Sequence, residues 1–171
     1  MNATPLARGG DAIAYAAGQV EVGAIYIDRA LALNPNLAFA WFASAWGNIW
    51  LGNPYKALEH LKQVARLSPL DPFMSGVSVA FAHFFAGRYD EASSCAEQVL
   101  RERSNFHMAL RMAAASHAMA HRLQPARNAL ASLREIDPAL CVSSLRDLTP
   151  IRRPEDIARY AEGLRKAGLP P

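Results

Sequence analysis

His117 and His121 stand four residues apart, the spacing that puts two imidazoles on one face of a helix and suits a pair of metal ligands. The stretch HAMAH lacks the glutamate of HExxH, and no third ligand suggests itself, so no metal site is expected. His117 shares its place in an internal repeat with His83 and Asn48, while His121 occupies a turn position otherwise held by glycine. The simpler expectation is a polar ladder packed between successive first helices. Cys95 and Cys141 lie forty-six positions apart without a CxxC or a Cys/His ligand pattern, and read as reduced, buried small hydrophobes. Serines are numerous, yet none sits in G-x-S-x-G, and there is no glycine-rich phosphate loop. The acid pairs Asp90/Glu91 and Glu155/Asp156, and Asp147 alone, are explained as helix starts, Asp90 serving as cap and Glu91 as first-turn acid. The chain is therefore expected to be no enzyme, with no catalytic residue and no cofactor.

Bulk properties agree with a single globular unit. The chain has 171 residues, 51% hydrophobic and 19% charged, with a formal charge of +3. Residues 1–72 carry five basic and five acidic side chains, and 73–171 carry thirteen and ten, scattered rather than clustered with aromatics. Nucleic acid is not an expected partner. The N-terminal stretch MNATPLARGG has no charged region followed by an apolar run, and no segment reaches the ~18 apolar residues of a membrane span, which makes the cytoplasm the expected location.

The elements that position these residues show themselves through a period of 34. Gly18, Gly52, Gly87 and His121 are spaced 34, 35 and 34 apart, and Gly23, Ala57, Ala92 and Ala126 follow five residues later, always small. Ile27, Leu61, Ala96 and Leu130 form a third column, and Pro35, Pro69, Ser104 and Pro138 a fourth. One shared insertion near residues 70–72 shifts all four together. Each repeat reads as two helices with a turn at glycine or histidine. The breakers LNPN, LSPLDP and IDP separate the repeats.

This pattern resembles the tetratricopeptide repeat (TPR), W-x2-L-G-x2-Y, then A-x3-F, then P. Trp41 takes the leading aromatic position, Ala57 and Leu61 the A-x3-F pair and Pro69 the closing proline. Ser44-Ala45 replaces L-G, and Asn48, Gly76 and Ser104 are further departures. The fold class expected is all-α, a right-handed solenoid of antiparallel helix pairs with about three and a half repeats. One domain would hold repeats at 4–37, 38–72, 73–106 and 107–140 and a cap at 141–171. Within the cap, Pro154 opens a helix over 154–167 with Ile157, Tyr160, Ala161 and Leu164 on its apolar face and an αL stop at Gly168. A narrower likeness runs through IDRALALNPN, LSPLDP, AHFFAGRYDEAS and RRPEDIARYAEGLRKAGLP. These are similar to the C-terminal TPR regions of rhizobial-type adenylate/guanylate cyclase-like proteins, which implies a regulatory, scaffolding or dimerisation module of a signalling protein, either separated from its catalytic domain or free-standing.

The TPR resemblance further implies a concave face lined by the first helix of each repeat. In this chain those positions fall on Phe39, Phe42, Trp46, Ile49 and Trp50, on Met74, Val77, Phe81, Phe84 and Phe85, and on Met108, Arg111, Ala115, Ala118 and Met119. TPR modules that clamp a carboxylate use Lys, Arg and Asn there, and only Arg111 answers, which disfavours that mode. If eight of the large side chains each exposed a quarter of their ~200 Å², the patch would reach about 400 Å², enough to mark an interaction surface. The expectation is an apolar groove that binds an apolar or amphipathic segment of another protein. Self-association through this face is an alternative, as is its closure into a core by strong superhelical curvature or by the C-terminal segment.

Overall fold

A computed structural model describes residues 2–68 and 72–171, and for residues 72–74 the backbone alone. The expected insertion near residues 70–72 and the proline at 69 lie outside the described residues, and so does the side chain of Met74. Among the described residues the chain is helical without a strand. Its elements are α1 (Ala3–Tyr15), α2 (Val20–Leu33), α3 (Ala38–Trp50), α4 (Pro54–Leu67), α5 (Pro72–Phe85), α6 (Tyr89–Glu102), α7 (His107–Met119), α8 (Leu123–Ile136), the short α9 (Leu145–Leu148) and α10 (Pro154–Ala167). Each of the first four odd-numbered helices packs on the even-numbered helix that follows it, and α2, α4 and α6 each pack on the next pair.

The repeat columns have a direct physical basis. Gly18, Gly52 and Gly87 take φ of 64°, 78° and 76°, and His121 takes 60°, so the turn column is the place where the chain must enter the left-handed region. The bonds that close these helices repeat too: Asn53 N–H donates to the Asn48 carbonyl, Arg88 to His83 and Arg122 to His117, at 2.8–2.9 Å. Ala57, Ala92 and Ala126 are wholly buried, because the two helices of a pair cross at this small residue.

The two kinds of helix differ in how much of their surface they bury. On α4, α6 and α8 a single stripe is inside: Ala57, Leu61 and Val64, then Ala92, Ala96 and Val99, then Ala126, Leu130 and Leu133. By contrast α3 buries every residue from Ala43 to Trp50, and α7 every residue from Ala109 to Ala118. A helix apolar on all sides must be covered on all sides. Neighbouring helices cover three sides of α7, and the C-terminal segment supplies the fourth.

α10 occupies the stretch expected of a capping helix, and Gly168 stops it at φ 111°, with the N–H of Leu169 donating to the Leu164 carbonyl. Its packing partners are chiefly α7 and then α8. It also reaches beyond the last repeat, since Tyr160 sits 5.8–6.4 Å, centroid to centroid, from the rings of Phe81, Phe84 and Phe85 on α5. The segment therefore lies across the inner face as well as closing the end of the stack.

Candidate functional site

The inner face is built by the first helices of the repeats. Trp46 stacks on Trp50 at 5.6 Å and leans on Phe81 at 5.3 Å, so an aromatic wall runs from α3 to α5. Tyr15 of α1 extends it, stacking on Trp50 at 5.9 Å. Phe42 meets Trp46 edge-on, and Phe39 lies in a smaller cluster with Ala3, Ala7, Ala30 and Ala40, beneath the Arg8 guanidinium. Trp41 takes no part in the wall. Its indole N–H donates to the Pro35 carbonyl at 2.8 Å and its ring meets the edge of His60 on α4, which ties α3 to its partner and to the preceding turn.

Among the described residues no open apolar groove of the size expected from the sequence is present. Ile49, Trp46, Trp50, Val77, Phe81, Phe84, Phe85 and Arg111 are all buried, as are Ala115 and Ala118. Phe39, Phe42, Met108 and Met119 keep partial exposure. The segment from Leu145 to Ala167 contributes to the burial, with Tyr160 against Phe81, Phe84 and Phe85 and Leu148 beside Trp46 and Trp50. Gly163 of α10 comes so close to α7 that a Cβ there would stand 2.9 Å from the Ala115 carbonyl oxygen.

Three arginines fix that segment in place, and helix ends explain why. The first helices of the repeats direct their C-terminal carbonyls to one edge, where orphan acceptors and the negative pole of each dipole favour cationic donors. Arg152 donates from Nη2 to the Gly18 carbonyl at 2.5 Å and to Glu21 Oε2 at 3.0 Å, and its backbone N–H donates to the Trp50 carbonyl at 2.8 Å. Arg153 donates to the Gly52 carbonyl at 3.2 Å, and Arg159 to that of Phe85 at 3.1 Å. Asp156 stands between the last two, 3.7 Å from Arg153 and 3.9 Å from Arg159. Burial pushes its carboxyl above the usual range, and the two arginines pull the other way. The sequence names a capping helix over 154–167 and closure of the face as one alternative, but not the arginine contacts that make it a strap; their signal was the run of arginines flanking an amphipathic helix.

A slot of about 170 Å³ remains between the wall and the strap. Phe42, Trp46, Trp50, Phe81, Met108 and Arg111 line it from the predicted set, joined by Tyr160 of the expected capping helix and by Asp11, Tyr15, Leu148 and Thr149, which the sequence did not single out. Arg111 is 6% exposed, its Nε has no hydrogen-bond partner, and no carboxylate pairs with it among the described residues. The Tyr160 hydroxyl is likewise buried without a partner. Burial raises that phenol's pKa, and the Arg111 charge acts to lower it.

The histidines do not form the ladder expected between first helices. His117 Nε2 lies 2.7 Å from Glu97 Oε1 on α6, and its Nδ1 accepts from Arg122 Nε at 3.1 Å. Arg122 also pairs with Asp90 and donates to Ser93 Oγ at 2.8 Å, so the network links α7 with α6 and the start of α8. Asn48 instead donates to the Ser44 carbonyl of its own helix, and His83 Nδ1 is buried without a partner. Asp90 is a first-turn residue of α6 rather than its cap, because Arg88 holds the cap position and the Asp90 carboxylate is engaged by Arg122. Among the described residues no three His, Cys, Asp or Glu side chains gather as metal ligands. Cys95 and Cys141 are free thiols but only half-buried, contrary to the expectation of core positions.

These packed helix pairs, turned at a left-handed residue every 34 or 35 positions, have close counterparts among solved structures. The chain has a TPR fold. A thermophilic TPR protein of Thermus thermophilus superposes with a TM-score of 0.69 at 19% identity, over 96% of this chain and 91% of that one. MamA RS-1, as a double mutant, gives 0.67 at 17% identity over 98% and 93%. MamA MSR-1 gives 0.64 at 21% identity over 81% and 78%. No family model matches the sequence, and no curated protein does. The likeness to cyclase-associated TPR regions finds no support in these comparisons. Among the described residues no helix of this TPR fold is long and apolar enough to cross a membrane.

Proposed function

We propose that this chain is a non-enzymatic protein-interaction module, one helical unit of four repeats and a C-terminal segment, whose inner groove recognises an amphipathic helix. The observation that carries this reading is that the groove already holds one. α10 presents Ile157, Tyr160, Ala161 and Leu164 inward and keeps Glu155, Ala158, Glu162, Arg165 and Lys166 outside, the pattern of a helix laid in an apolar groove. Its arginines read main-chain carbonyls at the helix ends, which any partner with the same basic flank can reach. A partner helix takes the place of α10, contacting Phe42, Trp46, Trp50, Phe81, Met108 and Arg111 on the wall.

The test is a titration of the full chain with a fluorescein-labelled peptide of residues 152–169, followed by anisotropy. The tethered α10 competes at an effective concentration in the millimolar range. The double variant Arg152→Ala/Arg159→Ala weakens this competitor and is expected to bind the peptide about tenfold more tightly than the native chain. Equal binding by both proteins, or none by either, contradicts the reading.

A further inference from the structure

The slot beside α10 exists with the strap in place, so its use is separate from capture of a partner helix. Three flat aromatic surfaces meet there, those of Trp46, Trp50 and Phe81. Beside them stands Arg111, nine-tenths buried and without a counter-ion among the described residues, and the unpartnered hydroxyl of Tyr160 completes the lining. A buried guanidinium with no carboxylate is costly, because its desolvation is not repaid by an ion pair. Its five N–H donors in a planar fork match a carboxylate, and a phenol O–H adds a sixth donor. The opposing charge in the lining is Asp11, half-buried, whose carboxyl is held above its usual range by burial and drawn down by Arg8.

We infer that the slot binds a small carboxylic acid bearing one aromatic ring, with the carboxylate on Arg111 and Tyr160 and the ring among Trp46, Trp50 and Phe81. Size admits one ring. An apolar cavity of about 150 Å³ holds benzene, so about 170 Å³ accommodates a ring and its carboxylate. Charge sets the sign: the buried cation lacks a partner, whereas Asp11 is only partly shielded and has Arg8 near it. Ligand contact with Tyr160 holds α10 on the wall.

The full chain is titrated with benzoate, phenylacetate, benzamide and benzylamine by calorimetry and by quenching of tryptophan emission. Benzoate or phenylacetate is expected to bind at least about tenfold more tightly than benzamide, with no detectable binding of benzylamine. Arg111→Met is expected to abolish that difference, and Asp11→Asn to strengthen binding of the acids. Because the charge series is read on the native chain, the test stands even if Arg111→Met does not fold. Equal affinity for benzamide and benzoate, tighter binding of benzylamine, or no binding of any acid up to about 10 mM overturns the assignment.

Discussion

Gly163 of α10 faces Ala115 of α7 with no room for a side chain between them: a Cβ on Gly163 would lie 2.9 Å from the Ala115 carbonyl oxygen and 3.1 Å from the Ala115 Cβ. Backbone on one side and a fully buried alanine on the other leave little to yield. Gly163→Val is therefore expected to lift α10 from the wall and to cost about 1–3 kcal/mol, the usual range for overpacking. Urea unfolding measures the loss. Acrylamide quenching should show Trp46 and Trp50 more accessible in the folded variant than in the native chain.

His121 adopts φ 60° at a position where the other repeats place glycine. An L-residue with a Cβ gives up roughly 1 kcal/mol there relative to glycine, part of which the greater freedom of glycine in the unfolded chain takes back. His121→Gly is expected to be neutral or to stabilise by up to about 1 kcal/mol, and His121→Val to destabilise by about 1–2 kcal/mol, since a β-branched side chain fits this region worst. Chemical denaturation of the three proteins side by side decides it.

His83 carries a buried, unpartnered Nδ1, and burial lowers its pKa from the usual 6.5, as it does for His60 and His107. The sign follows from linkage. Between the folded pKa and 6.5 the unfolded chain binds the proton that the folded chain refuses, so stability falls as pH falls through that window and is fully present above it. His83→Phe is expected to reduce the slope of stability against pH below about 6.5 by up to about one proton, measured by urea midpoints at several pH values. An unchanged slope would mean that the His83 ring takes up its proton equally in the folded and unfolded chains.

The two thiols should react at different rates. Cys141 is held by bonds from its neighbours, its Sγ lying 3.0 Å from Ser143 Oγ, and these lower its pKa; burial raises that of Cys95. The thiolate is the nucleophile. Iodoacetamide at about pH 7.5 is expected to label Cys141 at least about tenfold faster than Cys95, read by peptide mass spectrometry.

The repeats were legible because each of their columns is a local necessity. A left-handed turn demands glycine or a tolerant residue at 18, 52, 87 and 121, and a close helix crossing demands Ala57, Ala92 and Ala126. Such requirements recur wherever the unit recurs. The fate of the inner face was not legible in the same way. Its residues could be named from the resemblance, but what covers them depends on Arg152, whose carbonyl acceptor at Gly18 is 134 residues away, and on Arg159, whose acceptor at Phe85 is 74 residues away. Contacts of that range leave no period. The apolar run around α3 and the arginines flanking α10 were the local signs that a further neighbour had to exist.

The central claim is that α10 sits in the inner groove of its own chain, and Tyr160 is the place to ask. Replacing Tyr160 by p-azidophenylalanine puts a photoreactive group where the unpartnered hydroxyl lies, beside the rings of Phe81, Phe84 and Phe85. On irradiation of the full chain, peptide mass spectrometry should find an intramolecular cross-link to α5 in a protein that still runs as one chain. Cross-links confined to α7 and α8, or none above the unirradiated control, would place α10 off the groove and contradict the account.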